Sequence, residues 1–390
     1  MKEVVKVPFK EEGSLDHNLL RSDNMIKNTT QSEELNDRNY NFVGKITMTD
    51  LLTKAVERKA SDLHITVGSF PMVRKDGVLT PLQEEKMTPG MTQLLAKELM
   101  SKKGTDQLTS EGELDLSYSL AGIGRFRINI FLQRGSYGIS CRIISSKIPS
   151  IDELGLIPLV KDLAREDKGL VIVTGATGSG KTTTLASMVE YINREKTSHI
   201  ITLEDPIEYL HDHKKSIINQ REIGSDCSGF APGLRAALRQ DPDVILVGEM
   251  RDLETIQTAI TAAETGHLVL ATLHTVDAPK TIDRIIDVFP PHQQNQVRIQ
   301  LAGTLKGILA QRLLPRVGGN RVAAIEALVS TPGIKNLIRE GKTHQIYSQM
   351  QMGAKYQMKT MESAIKELAQ QGLISKKTMD EHLPANNILN

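Results

Sequence analysis

The sequence is poor in cysteine, with only Cys141 and Cys227 among its 390 residues, and it contains no tryptophan. The two cysteines lie far apart and form no C-x-x-C pair, so the sequence indicates neither a disulfide framework nor a zinc site. Such sparse cysteine is typical of proteins from a reducing compartment. We therefore expect a cytoplasmic protein.

The sequence also has little net charge and no long apolar run. Lysine and arginine total 48 and aspartate and glutamate total 47, so the charge does not favour a polyanion such as nucleic acid as a partner. The amino terminus lacks the apolar core of roughly 7 to 15 residues that a secretory signal needs. No stretch approaches about 18 consecutive apolar residues. We expect no direct membrane insertion, so association with a membrane would require a partner.

The composition divides the chain into four parts. Residues 1–44 mix charges of both signs with polar residues and show no sustained apolar period, which predicts a mobile polar extension. Residues 45–146 begin with a helical pattern and continue with short strand patterns, which indicates a small α+β domain. Residues 147–158 carry prolines and loop-forming residues typical of a linker. Residues 159–390 are predicted to form a larger domain with a helical C-terminal part.

An apolar strand pattern, Leu170–Thr174, runs directly into the G-x-x-x-x-G-K-T pattern of a phosphate-binding loop. Glycines allow the backbone to curl so that N–H groups point at phosphate oxygens. Lys181 would reach the β- and γ-phosphates of ATP, and the Thr182 hydroxyl would join the coordination of Mg²⁺. The predicted nucleotide-binding residues are Gly175, Ala176, Thr177, Gly178, Ser179, Gly180, Lys181, Thr182 and Thr183.

Beyond this loop, apolar strand patterns alternate with helical patterns, as a doubly wound parallel sheet requires. The strand candidates are Leu170–Thr174, His199–Leu203, Val244–Val247 and Leu268–Leu273. Because parallel strands present their carboxyl ends at one edge, the residues that follow them should meet around the phosphates. The sequence therefore predicts an α/β domain of the P-loop NTPase type, with its site at that edge.

Carboxylates follow the ends of two of these strands. Glu249 comes after Val244–Val247, where a Walker B carboxylate holds Mg²⁺ directly or through water. Glu204 and Glu208 follow the second strand, and either could orient the water that attacks the γ-phosphate. Each carboxylate taken alone is also consistent with a helix cap or an exposed loop charge. Their joint position at the strand ends favours the catalytic interpretation.

Histidines and arginines complete the candidate catalytic set. His267 and His274 flank the fourth strand, where a neutral imidazole could donate to a phosphate oxygen, although a strand-end histidine is also a common structural residue. Arg127 and Arg142 lie on strand patterns of the first domain, far along the chain from the phosphate loop. They could act as arginine fingers on a neighbouring subunit's nucleotide, or they could be solvated charges of a sheet face.

Four segments resemble, in order and spacing, the Walker A, Asp box, Walker B and His box of the secretion ATPase superfamily, namely residues 175–184, 202–209, 241–252 and 266–275. The similarity extends from Ala60–Ile65 to the C-terminal region. Within the superfamily, Thr331–Glu340 resembles the A-I-R-N-L-I-R-E signature of the type IV pilus retraction ATPases, with Gly333 and Lys335 in place of Ala and Arg.

This resemblance implies a PAS-like domain followed by a RecA-like domain, and a homohexameric ring that binds ATP between its subunits. It implies that Glu208 or Glu204 is the catalytic carboxylate, that Glu249 lies on the Mg²⁺ side, and that Arg127 and Arg142 approach the nucleotide. It further implies a motor at the inner face of the cytoplasmic membrane, which acts on an inner-membrane platform protein to retract type IV pili.

Two other functions remain open from the sequence. A pilus assembly or type II secretion ATPase of the same superfamily usually carries a tetracysteine zinc module, which two cysteines cannot build. A regulatory subunit that binds nucleotide but hydrolyses it weakly would have no physical need for Lys181, Glu208, Glu249 and His274 together. The sequence therefore favours the retraction motor.

Overall fold

The structure is a computed structural model that describes residues 46–144 and 147–383. The predicted extension over residues 1–44 lies outside the described residues. The described chain forms one sheet of six strands and one of seven. Each sheet packs against helices around its own core.

The first sheet is antiparallel and lies amino-terminal in the chain. Its elements are α1 (Met48–Glu57), β1 (Asp62–Ile65), β2 (Met72–Lys75), β3 (Val78–Pro81), α2 (Pro89–Leu99), α3 (Lys102–Glu111), β4 (Glu113–Leu120), β5 (Gly124–Gln133) and β6 (Ser136–Ile144). The strand order is β3-β2-β1-β6-β5-β4. Burial alternates along β5, where Phe126, Ile128 and Ile130 pack against the helices while Arg127 is exposed on the other face. The arginines of this strand therefore lie away from the core of the first sheet.

The second sheet is parallel except for one edge strand. Its strands are β7 (Gly169–Thr174), β8 (His199–Glu204), β9 (Ile217–Glu222), β10 (Val244–Val247), β11 (Leu268–Leu273), β12 (Leu305–Pro315) and β13 (Arg321–Val329). They lie in the order β13-β12-β7-β11-β10-β8-β9, with β13 antiparallel to β12. Every residue of β7, β10 and β11 is buried, because helices cover both faces. The predicted parallel α/β sheet is confirmed.

Helices on the two faces enclose two apolar clusters. The helices are α4 (Leu159–Arg165), α5 (Lys181–Glu195), α6 (Phe230–Ala237), α7 (Leu253–Glu264), α8 (Ala278–Asp287), α9 (Pro291–Thr304), α10 (Pro332–Arg339), α11 (Ile346–Gln351), α12 (Met361–Gln370) and α13 (Lys376–His382). On one face α4 and α5 pack against β7, and on the other α7, α8 and α9 do so. Among the helices of residues 46–144 and 147–383, none combines the length and hydropathy that crossing a bilayer needs.

One buried carboxylate joins the C-terminal helices to the second sheet. Glu326 of β13 is only 2% exposed. Its Oε1 accepts a hydrogen bond from the Ala278 N–H at 2.8 Å, and its Oε2 accepts one from the Met361 N–H at 3.2 Å. Burial raises the pKa of Glu326. Because Ala278 and Met361 begin α8 and α12, a single side chain stabilises two helix starts.

The structure contains elements that the sequence patterns did not predict. Strands β2 and β3 have four residues each, and β3 is exposed at every position, so neither shows a clear alternation. Helix α3, strand β9 and the β12–β13 pair were also not predicted. Residues 147–158 do not stand apart from the second sheet, because Ile151 and Leu156 are buried in the cluster around α5.

Candidate active site

The loop between β7 and α5 has the shape of a phosphate cradle. Strand β7 ends at Thr174, α5 begins at Lys181, and Gly175 and Gly180 adopt φ angles of 143° and 89°. A Cβ at Gly175 would lie 2.4 Å from the backbone oxygen of Gln311, so only glycine fits there. Gly180 is the N-cap residue of α5 and provides no side-chain cap. The first N–H groups of α5 are therefore available to an anion.

Lys181 lies within this cradle. It is 8% exposed, and its Nζ donates to the backbone oxygens of Gly175 at 2.8 Å and Ala176 at 3.1 Å. Burial lowers the pKa of Lys181, and the nearby charges of Glu249 and Glu208 oppose that effect. Ser179 Oγ is buried with no hydrogen-bond partner among the described residues. A bound phosphate would neutralise the Lys181 charge and could accept a hydrogen bond from the Ser179 hydroxyl. The loop residues therefore fit the phosphates of a nucleotide.

A cavity of about 490 Å³ opens beside the loop. Its walls include Glu204 at the end of β8, Glu208 shortly after it, Glu249 after β10 and His274 after β11. The predicted loop residues that line it are Thr177, Gly178, Gly180, Lys181, Thr182 and Thr183. The structure therefore brings the strand-end carboxylates, one histidine and the phosphate loop together at one edge of the sheet.

Glu249 is the most strongly connected carboxylate of this cavity. Its Oε1 lies 2.9 Å from His274 Nε2, and its Oε2 lies 2.7 Å from an Arg251 guanidinium nitrogen. Burial acts to raise the pKa of Glu249, but the Arg251 hydrogen bond and the His274 charge outweigh it, so the pKa is lowered. Glu249 therefore stays ionised, as a carboxylate near Mg²⁺ must be.

Glu204 and Glu208 occupy different environments. Glu204 is buried, and its Oε1 accepts hydrogen bonds from the Thr202 hydroxyl at 2.6 Å and from Gln220 Nε2 at 3.2 Å. Burial raises the pKa of Glu204. Glu208 is exposed and lines the cavity. Glu204 is thus committed to a protein network, whereas Glu208 can contact a water molecule in the cavity.

His267 lies away from the cavity. It directly precedes β11, whereas His274 directly follows that strand. Its Nδ1 lies 2.9 Å from the backbone oxygen of Ala262, which ties the ring to the end of α7. The full length of β11 separates His267 from the phosphate loop of the same chain, and its predicted phosphate contact stays a prediction.

Arg127 and Arg142 also lie outside the cavity. They face each other on β5 and β6, and Arg142 Nε lies 3.2 Å from the Asp62 carboxylate of β1. The Arg142 side chain is 70% exposed. Their role as arginine fingers stays a prediction that needs a second subunit or a domain movement.

Several residues that support the site were missed by sequence reasoning. Gln311 of β12 accepts a hydrogen bond from the Thr184 hydroxyl at 2.8 Å, behind the phosphate loop. Gln220 and Glu222 of β9 contact the segment that carries Glu208. The available signal for Gln311 was its place at the end of the apolar run Ile308–Ala310, whereas β9 carries no apolar alternation after Ile218 that could have revealed it.

The donors in the cavity fit a metal ion that arrives with a nucleotide. In the part of the chain that the structure describes, no group of three or more His, Cys, Asp or Glu residues could hold a metal ion. Nucleotide-bound Mg²⁺ needs only one or two protein oxygens, because phosphates and water supply the others. Thr182 and Glu249 line the same cavity and could provide these two oxygens.

A phosphate loop on a parallel sheet, with carboxylates and a histidine at neighbouring strand ends, defines a P-loop ATPase. The family comparison then places the chain within this class. The chain belongs to the family described as Type II/IV secretion system protein, which it matches over residues 37–383.

Individual relatives are similar to this chain along most of their own length. The chain is 46% identical to the Type IV pilus retractation ATPase PilT of Pseudomonas aeruginosa over 334 residues, which cover 86% of this chain and 97% of that protein. It is 43% identical to the Twitching motility protein of Neisseria gonorrhoeae, covering 83% of this chain and 87% of that protein. A crystal structure of the pilus retraction motor PilT with bound ADP matches with a TM-score of 0.81 and 51% identity, covering 87% of this chain and 98% of that chain.

Proposed function

We propose that this chain is an ATP-hydrolysing motor that powers type IV pilus retraction, as in twitching motility. The observation that carries the proposal is the cavity that joins a complete phosphate loop to Glu208, Glu249 and His274. The similarity to proteins named for pilus retraction and twitching motility, along most of their length, supports the motor role. The retraction-type segment Thr331–Glu340 forms α10 and its cap residues.

Each residue of the cavity has a distinct task in this proposal. The N–H groups of the loop and Lys181 bind the β- and γ-phosphates, and Lys181 neutralises charge that develops during transfer. Glu208 orients the attacking water, because it is exposed to the cavity while Glu204 is enclosed. Arg251 and His274 both contact the Glu249 carboxylate and hold it in place. When bound, Mg²⁺ held by Thr182 and Glu249 would further neutralise the phosphates.

The working unit in this proposal is a homohexamer. Arg127 and Arg142 are exposed on the first sheet, so a neighbouring subunit or a rearranged domain could place them at the nucleotide. The ring would act at the inner face of the cytoplasmic membrane, through an inner-membrane pilus platform protein. In such a motor, hydrolysis changes the arrangement of the two sheets and the platform protein receives the movement.

Two measurements test the proposal against its alternatives. Turnover of ATP by the purified protein separates a motor from a regulatory nucleotide-binding subunit, which would bind ATP with little hydrolysis. The number of pili per cell after deletion of the protein separates retraction from assembly. More pili with lost motility is the result we expect, whereas bald cells would identify a pilus assembly ATPase.

A further inference from the structure

Strand β9 supports the segment of residues 205–211, here named the Glu208 segment. Gln220 Oε1 accepts a hydrogen bond from the His211 N–H at 2.9 Å. Its Nε2 donates to the backbone oxygen of Tyr209 at 2.7 Å. One side chain of β9 therefore fixes the C-terminal half of the Glu208 segment.

A second side chain of β9 contacts the N-terminal half of this segment and also the first sheet. Glu222 Oε2 accepts a hydrogen bond from the Ile207 N–H at 3.0 Å. The same oxygen lies 2.5 Å from a guanidinium nitrogen of Arg125, which belongs to β5. The side chains of Arg125 and Glu222 are 14% and 6% exposed. One carboxylate oxygen thus contacts both the Glu208 segment and the first sheet.

This arrangement makes the Glu208 segment sensitive to the position of the first sheet. A buried carboxylate is tolerated when a cation pairs with it, and removal of the cation leaves an uncompensated buried charge. Without Arg125, Glu222 would turn toward water, and its hydrogen bond to the Ile207 N–H would weaken. Ile207 directly precedes Glu208, so a shift of its peptide group moves the Glu208 side chain.

We propose that Glu222 is a positioning residue that couples the placement of the first sheet to the orientation of the Glu208 carboxylate, with Arg125 as its partner. The proposal rests on the proposed function of Glu208 as the residue that orients water. While the first sheet holds Arg125 against Glu222, the Glu208 segment is ordered for hydrolysis. When the sheet moves away, that segment loosens and hydrolysis slows. The phosphate loop keeps its own contacts, so nucleotide binding is unaffected.

The test uses the full chain with the variants Arg125→Ala, Arg125→Lys, Glu222→Gln and the double variant Arg125→Ala/Glu222→Gln. The readouts are kcat and KM for ATP, Kd for ADP, and hydrogen exchange of the backbone amides of residues 205–211. For Arg125→Ala we expect kcat to fall about tenfold while KM and Kd stay within about twofold. Exchange in the Glu208 segment should rise about tenfold. Arg125→Lys should restore part of both, and the double variant should be no worse than the poorer single variant.

Arg74→Ala is the matched control, since Arg74 lies in the same sheet and its guanidinium donates to the Gly77 backbone oxygen at 3.0 Å within the β2–β3 hairpin. Three results would overturn the proposal: unchanged exchange in Arg125→Ala, an equal rise of exchange in β7, or additive losses in the double variant. Glu208→Gln is assayed in parallel. Near wild-type turnover in Glu208→Gln would remove the proposed role of Glu208, whereas the exchange data would still decide whether Glu222 positions the segment.

Discussion

The two sheets of this molecule hold their charged side chains in different ways. On the first sheet, Arg142 is 70% exposed and pairs with a carboxylate of the same sheet. At the edge of the second sheet, Lys181 is 8% exposed and held by backbone oxygens of its own loop. An exposed ion pair is worth only about 0.2–1 kcal/mol, so a phosphate can replace the partner of Arg142 at little cost. Lys181 is fixed before any ligand arrives.

In the proposed ring, this difference separates the half of the site that one chain completes by itself from the half that Arg127 and Arg142 would supply. The second sheet brings the phosphate loop and the strand-end carboxylates together within one chain. The first sheet presents Arg127 and Arg142 on an outer face, away from that cavity. A side chain that is already fixed in place, such as Lys181, suits nucleotide binding. An exposed side chain with a weak partner, such as Arg142, suits a contact that forms and breaks. Changes in the two regions should therefore differ in size and in dependence on neighbouring subunits.

The largest effect on ATP hydrolysis should come from a change in the phosphate loop of the second sheet. Lys181→Ala should abolish ATP hydrolysis, because the γ-phosphate loses its fixed cation, while the fold survives because it needs no charge there. The measurement is ATP turnover together with thermal unfolding. Lys168→Ala, an exposed lysine just before β7, is the matched control and should keep wild-type turnover. Substantial hydrolysis by Lys181→Ala would show that this lysine is not central to the site.

Changes to the exposed arginines of the first sheet should have the next largest effect on ATP turnover, and only in the assembled ring. Arg142→Ala should lower turnover by roughly 10³-fold, the typical contribution of an arginine finger. When Arg142→Ala subunits are mixed with Lys181→Ala subunits, some activity should return, since an intact arginine of one chain can serve the intact phosphate loop of another. No recovery in rings verified as mixed would argue that each chain uses its own arginine.

Replacement of Glu208, the carboxylate that follows β8, should lower turnover by about two orders of magnitude. Glu208→Gln should bind ATP normally but turn over at least about a hundredfold more slowly, because the attacking water loses its orienting base. Single-turnover hydrolysis and ATP binding on the same preparation measure this. Near wild-type turnover would move the assignment to Glu204, the buried carboxylate of the pair.

A charged surface remote from the cavity should separate hydrolysis from movement. In α10, Ile334 and Ile338 are buried, while Arg339 is exposed and Lys335 is half-buried. Replacing Lys335 and Arg339 by Ala should leave ATP turnover within about threefold, since such changes cost about 0.5 kcal/mol each, but it should stop pilus retraction. Replacing Lys376 and Lys377 of α13 is the control. Equal loss of both activities would mean that α10 serves the ring itself.

The smallest effect should be a pH dependence of stability that originates at Glu204. Burial raises the folded-state pKa of Glu204, so this residue stabilises the fold at low pH, and that contribution is lost as the pH rises through the folded pKa. Glu204→Gln removes this dependence. The difference in unfolding temperature, variant minus wild type, should be larger at pH 8 than at pH 5. Each ~1 kcal/mol of stability that wild type loses between these pH values should add about 2–4 °C to that difference. Glu113→Gln, at an exposed position, should show no such trend.

The sequence predicted the parts of this molecule that depend on strong local patterns. The buried strands β7, β10 and β11 are short apolar runs bounded by polar residues, so the parallel sheet and the phosphate loop were predictable. The contrast between Glu204 and Glu208 was not, because it depends on Gln220, which reaches Glu204 from a neighbouring strand. The place of His267 at the amino end of β11 was predictable as well, because only the carboxyl ends of parallel strands face the phosphates.

The two hydrogen bonds of Glu326 affect when the protein can finish folding during its synthesis. A ribosome releases α8 well before Met361, so during synthesis the Glu326 side chain first lacks one of its two N–H donors. An unpaired oxygen on a buried carboxylate is costly, so we expect the second sheet to reach its final packing only after nearly the whole chain has emerged. Chains that stop short of residue 361 should be substrates for proteases rather than smaller working ATPases.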